Sequence, residues 1–338
     1  MKTMTTVLAA AAVAGVMATS SFALSMNGAG ATFPYPIYSK WFYEYNKKTG
    51  VKINYQSIGS GGGVRQVIAK TVDFGASDAP MTPDEIQQAG GGILHIPTVI
   101  GAVAVAYNPE GLPAGLKLTP EALVQIFMGG ITKWNDPALK ALNPGVSLPD
   151  KNITVAHRSD GSGTTAIFAD YLSKVSAPWA SQVGSGKALK WPVGVGGKGN
   201  EGVAGLVKQI PGAVGYMELG YAKKNNLPTA KIKNRAGNFV EASLAGTTAA
   251  ANGSLKNMPP DFRVSITNSP GAEAYPITGF TWLLLYPQYG SEKGSALLKF
   301  LDWALSSEGQ GMVEALYYAP LPSSLVEQVK AKLKTVKH

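Results

Sequence analysis

The chain has 338 residues, with 40 Gly, 22 Pro, no Cys and a formal net charge of +9 at pH 7. Its 45% hydrophobic and 15% charged residues exclude an intrinsically disordered chain, and the length suffices for two ordinary domains. The lack of cysteine excludes a disulfide framework, a thiolate zinc site and a cysteine nucleophile. The three histidines lack metal-site spacing, which disfavours a histidine metal site and a Ser/His/Asp hydrolase.

Residues 1–23 have the three-part pattern of a secretory signal peptide. Lys2 gives a basic start, residues 7–18 are apolar, and Ser21 and Ala23 are small residues of a cleavage site. The alternative, a membrane anchor, needs an apolar run of about 20 residues, which is longer than the run found here. We expect cleavage near Ala23 and a soluble, exported mature protein.

The first half of the mature chain alternates between helical and strand patterns. Aromatic residues at helical spacing over 38–45 predict a helix, and residues 51–55 then alternate like a strand. A second helix is expected at Val64, and residues 93–107 are expected to form a buried pair of strands. Thr82-Pro-Asp-Glu85 has the residues of a capping box, and Thr119-Pro-Glu121 begins another helix in a similar way.

The second half continues the alternation. It predicts strands over 153–157 and 280–286 and helices over 164–174, 203–209, 297–305 and 325–333. Alternation of this kind predicts an α/β fold with mostly parallel strands. The lysines are scattered apart from a cluster over 330–337, so we expect no nucleic acid partner.

Three loops rich in Gly, Ser or Thr each precede a predicted helix. They are GAGATF over 28–33, GSGGG over 59–63 and RSDGSGT over 158–164. A helix N-terminus offers unpaired N–H groups and a partial positive charge, glycine allows close backbone approach, and hydroxyl groups add donors. One such loop alone is explained by an ordinary turn and cap, whereas three together indicate a site for a small anion.

Three charged residues refine this hypothesis. Arg158 can give a bidentate fork to an oxyanion, with Asp160 holding its guanidinium group, although a surface ion pair is the alternative. Asp78 follows the strand-like segment 72–77 and can accept a hydrogen bond from an anion that keeps a proton. Phosphate keeps one near neutral pH and sulfate does not, so Asp78 favours phosphate. A helix cap or salt bridge is the alternative for Asp78.

One motif is typical of a different function, the binding of a dinucleotide. The segment 194–199 satisfies GxGxxG, and Glu218 lies near the distance expected of a ribose-binding acid. The preceding run is short and contains Pro192, and an exported protein is poorly suited to a soluble dinucleotide. We therefore expect no cofactor.

The sequence resembles the phosphate-binding proteins of bacterial ABC phosphate transporters. The resemblance rests on segments that occur in family order over most of the mature chain. These segments are GAGATFP (28–34), QSIGSGGGVRQ (56–66), TVDFGASDAP (71–80), IPTVIG (96–101), RSDGSGTT (158–165), WPVGVGGKGN (191–200), PGAVGY (211–216) and YPIT (275–278). Residues 245–274 depart from the family pattern.

The resemblance implies a two-lobed, type II-like periplasmic binding protein fold. Each lobe would hold a mixed, mainly parallel sheet flanked by helices, and two strands would form the hinge. Lobe one would comprise 24–105 plus 275–338, and lobe two 106–274. The implied phosphate-binding residues are Thr32, Phe33 through its main chain, Ser60, Asp78, Arg158, Ser162, Gly163 and Thr164, with Asp160 supporting Arg158.

The expected function is high-affinity binding of inorganic phosphate in the periplasm and its delivery to a membrane permease. We expect a monomer without catalysis, cofactor or metal. One alternative is a receptor for sulfate or molybdate, against which Asp78 argues. Another is a secreted phosphatase acting through Ser60, Ser162 or Thr164, for which the sequence offers no evident base or metal cluster. An additional role in adhesion or signalling would leave no mark in the sequence.

Overall fold

The computed structural model describes residues 24–108, 110–254 and 258–338. The predicted signal peptide, residues 1–23, lies outside the described residues. The predicted α/β class is confirmed, since helices flank an eight-stranded sheet and a small three-stranded sheet. Within the described ranges, no helix has the length and apolarity needed to cross a membrane.

Strands and helices alternate along most of the described chain. The strands are β1 Ser25–Gly30, β2 Lys52–Ser57, β3 Phe74–Ser77, β4 Leu94–Tyr107, β5 Lys117–Leu118, β6 Thr154–Arg158, β7 Val195–Gly197, β8 Ala213–Glu218, β9 Lys231–Lys233, β10 Phe239–Glu241 and β11 Thr278–Leu285. The helices are α1 Tyr35–Thr49, α2 Ser60–Ile68, α3 Pro83–Gln88, α4 Pro120–Met128, α5 Pro137–Leu142, α6 Gly163–Val175, α7 Ala177–Gln182, α8 Gly199–Gln209, α9 Leu219–Lys224, α10 Leu244–Ser254, α11 Ser291–Ala304, α12 Ser307–Gln310 and α13 Ser323–Leu333. A 3-10 turn covers Glu314–Leu316.

The large sheet is mixed and has the order β2-β1-β3-β11-β4-β8-β6-β7. Strand β1 runs parallel to β2 and β3, and β6 runs parallel to β7 and β8. Strand β11 is antiparallel to both β3 and β4, and β4 is antiparallel to β8. Parallel strands thus occupy the two ends of the sheet, and antiparallel pairs join them in the middle.

The prediction of two strands over 93–107 is wrong, because β4 is one strand whose residues are all buried. Pro97 lies inside this strand, although proline cannot donate a ladder hydrogen bond. The strand accommodates this proline at a bulge, because Thr281 pairs with Val99 and Trp282 with Pro97, which leaves Thr98 of β4 as the extra residue. The first part of β4, 94–102, pairs with β11, and the second part, 103–107, pairs with β8.

Local signals in the sequence placed several helices well. Helix α1 buries the predicted aromatic face, including Tyr38 and Trp41. Helix α3 begins with the predicted capping box, in which the hydroxyl of Thr82 accepts from Glu85 N and the Glu85 carboxylate accepts from Thr82 N. These contacts satisfy two backbone donors that a helix start otherwise leaves unpaired. Each of the three predicted anion loops connects a strand to a helix, namely β1 to α1, β2 to α2, and β6 to α6.

Candidate functional site

The three loops and the end of β3 meet at one buried place, which we call the junction site and define as residues 32–33, 60, 78, 158 and 162–164. The parallel strands β1 and β3 end side by side, so residues 32–33 and Asp78 leave the sheet at the same edge. Helix α2 begins at Ser60 and helix α6 at Gly163, both facing this edge. The backbone bond from Gly61 N to Gly161 O, 2.8 Å long, joins the two loops.

The helix starts bring unpaired donors into the junction site. Among the described residues, the backbone N–H groups of Phe33, Ser60, Gly163 and Thr164 have no hydrogen-bond acceptor. Donors of this kind, at the positive ends of helices α2 and α6, bind anions. The hydroxyl of Ser162 caps α6 by accepting from Thr165 N at 3.0 Å, which leaves its own proton to donate elsewhere.

Gly163 allows the two helix starts to approach each other closely. A Cβ atom at this position would overlap Ser60 Oγ and would lie 2.6 Å from both Cβ and Oδ2 of Asp78. Only glycine fits at this contact without displacing a neighbour. The close approach places Ser60, Asp78 and the start of α6 within reach of one small ligand.

Arg158, the last residue of β6, is buried and held by two parallel contacts. Its Nε donates to Asp160 Oδ1 at 2.7 Å and its Nη2 donates to Asp160 Oδ2 at 2.5 Å. Its Nη1 donates to Thr164 Oγ1 at 3.3 Å. A guanidinium group has five N–H donors, so two remain for an anion, one on each terminal nitrogen. Burial alone would raise the pKa of Asp160, but the hydrogen bonds and charge of Arg158 lower it, and Asp160 stays ionised beside its partner.

Asp78 is the acceptor in a site made mostly of donors. Its Oδ1 accepts the Thr281 hydroxyl at 2.7 Å, and its Oδ2 lies 3.3 Å from the Ser60 hydroxyl. Burial raises the pKa of Asp78 to about 7, against the lowering effects of the Thr281 hydrogen bond and the Arg158 charge. A carboxyl group whose pKa lies near 7 can share a proton with a ligand that carries one of its own.

Thr32 and Phe33 complete the site from the loop after β1. The carbonyl oxygen of Thr32 accepts the Tyr221 hydroxyl at 2.7 Å, and that of Phe33 accepts the Tyr318 hydroxyl at 2.6 Å. The first bond fixes the peptide plane that contains the Phe33 N–H group, and the second fixes the peptide plane that follows it. The structure thus gathers all of the predicted ligand residues, with Asp160 behind Arg158, into one cluster.

Two buried residues beside the junction site were not identified as part of it from the sequence. Asn200, on the first turn of α8, donates through Nδ2 to the hydroxyl oxygens of Thr32, at 2.7 Å, and Thr164, at 3.1 Å. Glu218, at the end of β8, donates its N–H to Asn200 Oδ1 at 2.9 Å. Burial raises the pKa of Glu218 to about 8. Both residues follow the segment 194–199 that satisfies GxGxxG, and Asn200 also ends the segment WPVGVGGKGN (191–200) of the family resemblance.

A cavity of about 240 Å³ adjoins Asp78. Its polar wall contains Asp170, whose Oδ2 accepts the Ser265 hydroxyl at 2.6 Å and Lys174 Nζ at 2.9 Å and also contacts the Thr267 hydroxyl. The Asp170, Lys174, Ser265 and Thr267 side chains thus form one hydrogen-bonded group on this wall. In the described part of the chain, no cluster of three or more His, Cys, Asp or Glu side chains is arranged to hold a metal ion.

Comparisons with known proteins show the family to which the chain belongs. The model of the PBP superfamily domain matches residues 12–308. The phosphate-binding protein PstS of Haemophilus influenzae is 49% identical over 313 residues, covering 92% of this chain and 93% of that protein. This chain belongs to the PstS family. Another family member, from Xylella fastidiosa strain 9a5c, is 47% identical and covers 91% of this chain and 84% of its own length.

Solved structures show the same fold at low sequence identity. A high-affinity periplasmic phosphate-binding protein, PfluDING, solved with bound phosphate, has a TM-score of 0.72 and 22% identity, covering 91% of this chain and 93% of its own. The phosphate-binding protein of Stenotrophomonas maltophilia has a TM-score of 0.70 and 20% identity, covering 91% and 94%. These PstS relatives and structural neighbours are named as binding proteins and not as enzymes.

Proposed function

We propose that this protein binds inorganic phosphate at the junction site and delivers it to the permease of an ABC-type transporter. The observation that carries the proposal is the convergence of unpaired N–H groups, hydroxyls and the Arg158 fork around a single buried acceptor, Asp78. Hydrogen phosphate needs many donors for its unprotonated oxygens and one acceptor for its proton. Membership of the PstS family, whose relatives carry the name phosphate-binding protein, supports the same ligand.

Each predicted ligand residue has a proposed role in this capture. Phe33, Ser60, Gly163 and Thr164 offer main-chain N–H groups, Arg158 offers two N–H groups, and Asp78 accepts the ligand proton. The hydroxyls of Thr32, Ser162 and Thr164 donate as well, whereas the Ser60 hydroxyl donates to Asp78 Oδ2. Sulfate, which is fully ionised, would meet the Asp78 carboxylate without a proton to share, so the site should discriminate against it.

We propose that the protein closes around phosphate by hinge motion between two lobes, 24–105 plus 275–338 and 106–274. Strand β4 supports this division because its pairing changes from β11 to β8 after Ala102. The second crossing would lie beside it, where Val103 N donates to Ile277 O at 2.8 Å. The bond between Gly61 and Gly161 then joins the lobes across the site, as expected of a closed, ligand-trapping form.

The proposal places the mature protein in the periplasm, as a monomer without catalytic activity. The three-part pattern of residues 1–23, with cleavage near Ala23, supports export. The periplasmic phosphate-binding protein that shares the fold is consistent with that location. The permease is the partner that a binding protein of this family needs in order to deliver its ligand.

Calorimetric titration of residues 24–338, stripped of anion by unfolding and refolding, tests the binding proposal. We expect one phosphate per chain bound tightly, and no heat from sulfate or molybdate at the same ionic strength. Arg158→Met should remove binding, while Arg65→Met, which changes an exposed arginine of α2, should not. Phosphate binding absent from the wild-type protein would overturn the proposal, and turnover of p-nitrophenyl phosphate would favour the phosphatase alternative.

A further inference from the structure

Asn200 makes hydrogen bonds to two threonines of the junction site. Its side chain is fully buried, and its Nδ2 donates to Thr32 Oγ1 at 2.7 Å and to Thr164 Oγ1 at 3.1 Å. Its backbone N also donates to Thr32 Oγ1, at 3.2 Å. Its Oδ1 accepts the Glu218 N–H at 2.9 Å. Every polar atom of the Asn200 side chain therefore has a partner.

The backbone of Glu218 fixes which way the Asn200 amide points. A backbone N–H can only donate, so the atom facing Glu218 must be the amide oxygen. The amide nitrogen must then face the two threonines and donate one proton to each hydroxyl oxygen. The Glu218 N–H, which can only donate, thus sets the direction of the hydrogen bonds from Asn200 Nδ2 to both threonines.

These contacts leave each threonine hydroxyl with one remaining function. A hydroxyl oxygen has two acceptor positions and one donor proton. Thr32 Oγ1 already accepts from Asn200 N and Nδ2, and Thr164 Oγ1 already accepts from Asn200 Nδ2 and Arg158 Nη1. Both hydroxyls are filled as acceptors and can act on a ligand only as donors.

We propose that Asn200 is a positioning residue that turns the hydroxyl protons of Thr32 and Thr164 toward the bound anion. The proposal rests on phosphate binding at the junction site and adds a reason for its selectivity. Hydroxyls that cannot accept leave Asp78 as the acceptor for a ligand proton, so the site prefers an oxyanion with a single proton. Asn200 also connects Thr32 of one proposed lobe to Thr164 of the other.

Two substitutions test the direction of the hydrogen bonds. Asn200→Asp keeps the size and the acceptor for Glu218 N, but its second oxygen accepts from both threonines and draws their protons away from the anion. Because two hydrogen bonds to the charged anion are lost, we expect phosphate affinity to fall by at least about 100-fold. Asn200→Ala removes the amide without adding a charge, and we expect a loss of about 10-fold.

A double-mutant cycle separates positioning from a merely structural role. In the Thr32→Val, Thr164→Val background the hydroxyls are absent, so Asn200→Ala should change phosphate affinity by less than about 2-fold. Asn108→Ala is the matched control, because this buried asparagine donates to the Val207 and Lys208 carbonyls at the other end of α8 and touches neither threonine. We expect this control to leave the affinity within about 2-fold.

Isothermal titration with inorganic phosphate gives these affinities, and urea unfolding of each variant shows that it folds. An equal loss from Asn200→Ala in the wild-type and the double-valine backgrounds would overturn the positioning role. A 10-fold loss in the Asn108 control would assign the effect to disturbance of α8 and would overturn it too. Failure of the wild-type protein to bind phosphate would instead overturn the proposed function itself.

Discussion

Replacing Asp78 by asparagine should change which anion the junction site prefers. In the Asp78→Asn variant, the amide oxygen can keep the 2.7 Å bond from the Thr281 hydroxyl that Asp78 Oδ1 accepts in the wild-type protein. The amide nitrogen then takes the place of Oδ2, which accepts from the Ser60 hydroxyl at 3.3 Å and is the proposed acceptor of the ligand proton. The substitution therefore converts the acceptor of the site into a donor without changing its shape.

The size of the effect follows from the hydrogen bonds exchanged. Phosphate loses an acceptor for its proton, and a hydrogen bond to a charged group contributes about 1.5–3 kcal/mol, or about 10- to 150-fold in affinity. Sulfate loses its repulsion with the carboxylate and gains a donor. Together these changes should lower the phosphate-to-sulfate affinity ratio by about 100-fold or more.

Calorimetric titrations with each anion at pH 8 measure that ratio. At this pH Asp78, whose pKa burial raises to about 7, is mostly ionised, so the wild-type carboxylate acts as acceptor. Asp170→Asn, which changes a carboxylate on the wall of the neighbouring cavity, is the control and should leave the ratio within about 2-fold. An unchanged ratio in Asp78→Asn would refute the role of Asp78 in selectivity.

Three further predictions concern the site and its surroundings. Gly163→Ala places a methyl group against Ser60 Oγ. Phosphate affinity measured by titration should therefore fall by at least about 10-fold, while the free energy of unfolding of the ligand-free protein in urea should change little. Unaltered affinity would contradict the close approach of the two helix starts. Burial raises the pKa of Glu218 to about 8, so its stabilising contribution is present below its unfolded pKa of about 4.5 and is lost as pH rises to 8. Glu218→Gln should therefore gain free energy of unfolding relative to wild type at pH 9 but not at pH 4.5, and an equal difference at both values would argue against a buried neutral carboxyl. Lys187 donates to Glu85 at 2.7 Å across the proposed lobes, so Lys187→Ala should weaken phosphate binding by at most about 5-fold, and less at 0.5 M salt than at 0.05 M; a loss that does not depend on salt would contradict an ion-pair origin.

The helix starts that follow the three loops were predictable because their signals are local. Glycines and hydroxyl residues before a helical pattern indicate a helix N-terminus whatever the rest of the chain does. The spacing of Arg158 and Asp160 likewise allowed one side chain to hold the other, and the structure has that contact. The class of fold followed from the alternation of elements.

The rest of the site depends on contacts between distant segments. Asn200 donates to Thr32, which lies 168 residues away in the sequence. No local pattern at either residue predicts contact with the other. The sequence places Glu218 only at the spacing of a ribose-binding acid, whereas the structure buries it with its N–H donating to Asn200 Oδ1. Strand β4 is one continuous strand whose partner changes from β11 to β8 after Ala102, and this change depends on distant segments that the β4 sequence does not reveal.

A crystal structure of the mature protein grown with phosphate tests the central claim most directly. We expect one dehydrated tetrahedral anion at the junction site, with the Arg158 fork on one side and Asp78 Oδ2 within hydrogen-bond distance on the other. The N–H groups at the starts of α2 and α6 should point at its oxygens. An anion bound instead in the cavity beside Asp170, or no anion at a phosphate concentration that saturates binding in solution, would contradict the account.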